Sequence, residues 1–203
     1  MTSIELQRQL EKLLLDACLR QLECMKNDLE NKSIFSYSIY CSSGFRNMGV
    51  AAGTREGFSQ RKRQLSVLEK EHDWYAEVNA AEWDYVNQHY EIFSEVDTFI
   101  DELYTIFYGG YLDDVNLDEM TDDKLWGFIS TFFSQVICSV ITSLLKLNAF
   151  SHSIFENDLL LGVQFGDPDI YCIDSMLNIS SHLNNDFWHS KVVLNCEAIK
   201  KGI

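Results

Sequence analysis

Polar and apolar positions follow more than one rhythm along this chain, and one apolar run outweighs the others. Between Lys124 and Lys146 no side chain is charged. Leu125, Trp126, Phe128, Ile129, Phe132, Phe133, Val136, Ile137, Val140, Ile141, Leu144 and Leu145 fill that run. Thr121-Asp122-Asp123 opens it with a helix cap and two acids, and Lys146 closes it, as a helix dipole favours. At about 100° per residue, Gly127, Thr131, Ser134, Cys138 and Thr142 share one stripe of small side chains. The pattern predicts a central helix over 121–150, apolar nearly all round and therefore buried. The stripe is where a neighbouring helix or sheet is expected to come close.

Helical spacing of Ile4, Leu6, Leu10, Leu13, Leu14, Ala17, Cys18, Leu22 and Met25 predicts an amphipathic helix over 3–31, capped by Ser3. Ile34 to Cys41 alternates aromatic and β-branched residues with serine and reads as a strand. Ser42-Ser43-Gly44 turns the chain into a second strand, Met48 to Ala52, giving an antiparallel hairpin. A short helix is expected from Thr54 to Leu68, carrying the basic patch Arg61-Lys62-Arg63. Residues 73–81 read as a loop bearing Trp74 and Tyr75. A second long helix follows over 90–107, with Phe93, Val96, Phe99, Ile100, Leu103, Ile106 and Phe107 on its apolar face, and Gly109-Gly110 ends it. Residues 151–157 read as a polar loop and 159–166 as a buried strand. Two closing helices are expected at 173–183 and 186–199. The fold class is α+β: a small, mostly antiparallel sheet packed by long helices around a central apolar helix, in one domain over residues 1–203.

An uncharged run of that length also suits a bilayer. Its serines, threonines and Gln135, and the lack of flanking Lys or Arg clusters, favour a water-soluble core helix instead. The chain has 203 residues, 46% of them hydrophobic and 13% aromatic, which argues against disorder. Its net charge of −15 argues against nucleic acid and anionic membranes as partners and suits a basic protein. The six cysteines form no CxxC pair, so reduced, buried thiols are expected. The N-terminal residues show no secretory pattern, and the expected location is cytoplasmic.

The sequence contains no dinucleotide-binding glycine motif, P-loop, HExxH or GxSxG. His72, His89, His152, His182 and His189 lack metal-ligand spacing, and Asp167, Asp169 and Asp174 match a calcium loop only loosely. Glu82 with Asp84, Glu156 with Asp158, and Cys41 are weak candidates for acid–base or nucleophilic work. No catalytic residue, cofactor or metal is therefore assigned.

Several segments together resemble a known family. They are Phe35-Ser36-Tyr37-Ser38-Ile39-Tyr40, Ala51-Ala52-Gly53-Thr54 with Glu56-Gly57, and Ala81-Glu82-Trp83. Phe93 to Asp97, Leu144-Leu145-Lys146, Val163 to Asp169 and Ser180 to Asn184 complete the set. In this order they resemble the bacterial domain-of-unknown-function family numbered four-three-zero-three, and Pro168 departs from its usual polar spacing. The resemblance brings no reaction with it. It implies a small acidic immunity protein of a polymorphic toxin system, which neutralises a cognate toxin by covering it. The densest acidic run supplies the expected binding face: Asp113, Asp114, Asp118, Glu119, Asp122 and Asp123, with Tyr108 and Tyr111 beside them. The alternative is an enzyme or small-ligand domain with a pocket between sheet and central helix, near Trp74, Tyr75 and Trp83.

Overall fold

Thr2, rather than Ser3, starts the first helix. Its hydroxyl accepts the Glu5 N–H while the Glu5 carboxylate accepts the Thr2 N–H at 2.8 Å, a reciprocal capping box. The computed structural model describes residues 1–64 and 73–202. Helix α1 spans Ser3–Asp28 and buries Leu6, Leu10, Leu14, Ala17, Cys18, Leu22 and Met25 along one stripe.

Strands β1 (Ile34–Cys41) and β2 (Met48–Thr54) form the expected antiparallel hairpin. The connecting turn holds Gly44 and Phe45 in the left-handed region, at φ 74° and 58°. That turn drives Phe45 inward, where its ring stacks on Phe133 at 5.1 Å and meets Phe165 edge-on at 5.1 Å. Helix α2 (Arg55–Gln64) follows directly, and Thr54 Oγ1 accepts the Gly57 N–H at 3.0 Å as its cap. The end of the helix expected to reach Leu68 lies outside the described residues.

Residues 73–81 are mainly helical rather than a loop: α3 (Asp73–Val78) leads into a 3-10 turn at Ala80–Glu82. Gln164 fastens this segment to the sheet, donating to the Val78 carbonyl at 3.0 Å and accepting the Ala80 N–H at 3.3 Å. A two-residue strand, β3 (Tyr85–Val86), follows. The helix expected over 90–107 divides into a 3-10 turn, Tyr90–Phe93, and α4 (Ser94–Tyr108).

Helix α5 (Asp122–Lys146) is the central helix, and its long apolar run buries Ile129, Phe132, Phe133, Val136, Ile137, Val140, Ile141 and Leu144. It is long and apolar enough to cross a bilayer, yet only half of its most apolar window is buried inside the fold. The small stripe accounts for the difference. Ser130 and Ser134 meet Ser175 of α6 (Ile170–Leu183) at 3.0 and 2.8 Å, so a helix does approach there. Thr131 and Gln135 are exposed, and a Cβ added at Gly127 would touch nothing within 4 Å. An open groove of about 550 Å³ runs between α5 and α6.

Strand β4 (Phe155–Phe165) begins inside the stretch read as a polar loop. The register jumps from Ile34↔Phe155 to Ser36↔Leu160, so polar residues 156–158 form a bulge that hides the strand pattern. The sheet order is β3-β2-β1-β4, with β1–β2 and β2–β3 antiparallel and β1–β4 parallel. Asn184 shields the outer edge of β4: its amide brackets Leu161, accepting the N–H at 2.9 Å and donating to the C=O at 2.7 Å. Helix α7 (Asp186–Lys201) closes the chain. The architecture is α+β, as the pattern predicts.

Phe133→Ala, at the centre of the ring contacts, is expected to cost about 3–5 kcal/mol in urea unfolding. Gly127→Ala, whose new methyl group meets open space, is expected to stabilise the helix by up to about 1 kcal/mol. A loss of stability in Gly127→Ala would show that something fills the groove.

Candidate protein-binding face

The eight residues expected to form a binding face come from the end of α4, the start of α5 and the loop between them. Helix α4 stops at Gly109, and Gly110 turns the chain at φ 71°. The Asp118 carboxylate sits directly over Gly110, in the space a Cβ would need. Tyr108 and Tyr111 are 55% and 74% exposed, far more than the average aromatic residue needs for packing. Tyr108 stacks on Tyr104 at 5.9 Å, and the Arg46 guanidinium lies over the Tyr104 ring at 3.5 Å. Tyr104 also neighbours Trp126 of α5 at 6.5 Å, so the two helix ends share one face.

All six acids are exposed, but they do two different jobs. Asp113 accepts from the Met1 ammonium group. Asp114 accepts the Ser3 N–H at 2.8 Å and the Ser3 hydroxyl at 2.6 Å. These two carboxylates pin the start of α1, where its dipole welcomes negative charge. Among the described residues, Asp118, Glu119, Asp122 and Asp123 have no hydrogen-bonding or ion-pair partner. The structure therefore divides the expected set into two anchors and four free acids beside two exposed tyrosines.

The other sequence candidates disperse. Glu82 pairs with Arg61, whereas Asp84 takes Lys32 Nζ at 2.8 Å, the Thr54 hydroxyl at 2.8 Å and the Thr54 N–H at 3.1 Å. Burial pushes the Asp84 carboxyl up, but Lys32 and Thr54 together hold it below its ordinary value. Glu156 receives both arms of Arg55 at 2.8 Å, and Asp158 accepts from Asn185 at 2.9 Å. Neither acid pair converges on a common point. Asp169 caps α6 through Cys172 N–H at 2.8 Å, and Asp174 faces Lys200 instead. His182 and His189 bond to Asn178 O and Ser180 Oγ, respectively. Cys41 is buried, and desolvation raises its thiol well above the ordinary range, which disfavours the thiolate.

In the basic patch Arg61 is paired and Lys62 lies 5.9 Å from the Phe58 ring, while Arg63 is exposed. Trp83 is buried with its indole N–H on Glu77 O at 3.3 Å, and Trp74 meets Tyr75 edge-on at 6.2 Å. The described contacts of the aromatic set pack the α3 segment. Glu77 itself bridges Arg55, at 2.9 Å, and Lys191 of α7. With Glu156, this network straps α2, α3, β4 and α7 together, and every member has a partner.

A polar cleft at the end of β1 escaped the sequence reading. Tyr40, Ser42 and Asn47 of the β1–β2 hairpin line it, with Asn87 and Tyr90 from the segment after β3. Only the clustering of Asn and Tyr in 85–90 hinted at it. No family model, curated protein or solved structure matches this chain.

Ser3 holds the Asp114 carboxyl below its ordinary value. A depressed folded pKa stabilises above the unfolded value and is lost as pH falls through the folded one. Asp114→Asn is accordingly expected to lower Tm by roughly 1–4 °C near neutral pH. The difference from the parent should vanish in acid, as thermal unfolding across pH would show.

Proposed function

We propose that this chain is a protein-binding module that captures a basic protein through the α4–α5 face and neutralises it by covering it. The observation that carries this reading is the set of four uncommitted acids beside exposed Tyr108 and Tyr111. Fixed negative charge speeds encounter with a positive partner, and partly exposed tyrosines supply contact area at small entropic cost. Arg46, held over Tyr104, adds a group suited to an interface rim. The net charge of −15 extends the same field over the whole body. The motif resemblance to an immunity-type family suggests the partner's nature: a toxin or effector of the same bacterium, met in the cytoplasm.

Two measurements test this reading. The chain should co-purify with the product of the neighbouring gene, and co-expression should rescue growth. Replacing Asp118, Glu119, Asp122 and Asp123 by lysine is expected to slow association by about 10- to 1,000-fold. That loss should shrink as salt rises. Unchanged association and unchanged protection in this variant would remove the assigned face.

A further inference from the structure

The polar cleft at the C-terminal ends of β1 and β4 contains groups that the fold does not use. It has a volume of about 500 Å³ and is lined by Tyr40, Cys41, Ser42, Asn47, Asn87, Tyr90 and Gly166. That size suits a small ligand. The side chains of Tyr40, Ser42, Asn47 and Asn87 make no hydrogen bond among the described residues, and Asn47 and Asn87 are exposed. The Ser42 hydroxyl oxygen is also cut off from solvent and has no partner. Buried polar atoms are nearly always satisfied, so the idle Ser42 hydroxyl is hydrogen-bonding capacity that this end of β1 leaves unused.

The backbone holds this arrangement open. Asn87 adopts φ 50°, and its N–H is anchored on Val50 O at 2.9 Å. Gly49 has no side chain where the Asn87 amide lies, so the amide can sit over β2. Tyr90 donates its hydroxyl proton to Asp97, which also accepts the Met48 N–H at 3.0 Å. The Tyr90 oxygen is thereby left as an acceptor.

We propose that this cleft binds a small, neutral, polyhydroxylated ligand of the monosaccharide or cyclic polyol class. Each uncommitted lining group is neutral, and each can donate or accept. A carboxamide offers one donor and one acceptor side by side, which matches two vicinal hydroxyls. An anion has no cation to meet here and faces a strongly negative protein. A cation has no carboxylate on the lining. An apolar ligand would strand four polar groups in a dry contact, at a cost that disfavours it. The cleft shares no residue with the α4–α5 face, and a polyol titration needs no protein partner, so each reading stands or fails alone.

The test is a titration of the full chain, followed by amide proton–nitrogen spectra, with glucose, galactose, myo-inositol and glycerol. Glucose 6-phosphate and cyclohexanol serve as charged and apolar controls. At least one neutral polyol is expected to give saturable shifts at Gly49, Asn87 and Gly166, with Kd on the order of 1 mM. Asn47→Ala and Tyr40→Phe should each weaken it by about tenfold while the remaining spectrum stays dispersed. Tyr40→Phe removes one oxygen and no carbon, which keeps the comparison clean if the alanine variant folds poorly. Absence of saturation with every neutral polyol would overturn the assignment. So would tighter binding of either control, or unaltered affinity in both variants.

Discussion

Strand β1 has no free edge and no wet face. It is bonded to β2 on one side and to β4 on the other, and every residue from Ile34 to Ile39 is buried. An element so enclosed forces the rest of the chain to cover it. On one face the core rises through Tyr37, which lies against Cys18 of α1 and meets Phe150 edge-on at 5.1 Å, and through Phe165, Phe45 and Phe133 toward α5. On the other face Gln164 holds the Val78–Ala80 segment. Serines 36 and 38 are tolerated inside because Ser36 accepts the Gly53 N–H at 2.8 Å, while small residues of β2 leave room.

This constraint also explains which parts could be read from residues alone. The β1–β2 hairpin, α1, α4 and α5 carry strong local periodicity, and their bounds fall close to the pattern. The start of β4 was hidden by its bulge, because Glu156-Asn157-Asp158 breaks the rhythm that marks a strand. Helix α3 is short, and tertiary anchors hold it: Gln164 and the Arg55–Glu77–Lys191 bridges. No window of residues 73–78 contains that information. The all-round burial expected of α5 failed for a related reason. Composition shows that a helix is apolar, but its neighbours decide which side is covered, and α6 covers only part of the small stripe.

Acidity illustrates the same division. A count of carboxylates predicts a negative surface but cannot tell a fastener from a free charge. Asp113 and Asp114 secure the first helix, Asp84 holds the β2–α2 junction with Lys32, and Glu156 takes Arg55. Carboxylates with such partners gain little from an approaching basic surface, because binding there must first break bonds already made. Those on either side of the α5 cap carry no such debt, and an interface would desolvate them only in exchange for new pairs.

The two ends of β1 make the strongest contrast in the molecule. At its start, Ser33, Glu56, Arg55, Glu156, Glu77 and Lys191 bond to one another so that each has a partner. At its finish, the side chains of Tyr40, Ser42, Asn47 and Asn87 line open volume and have no hydrogen-bonding partner among the described residues. Both ends are polar, both are shaped by the same strand, and the first shows that this fold can satisfy such groups internally. The four unused side chains, three from the β1–β2 hairpin and one from the segment after β3, line one cleft. An arrangement of that kind has its hydrogen-bonding capacity directed outward, toward a molecule small enough to enter.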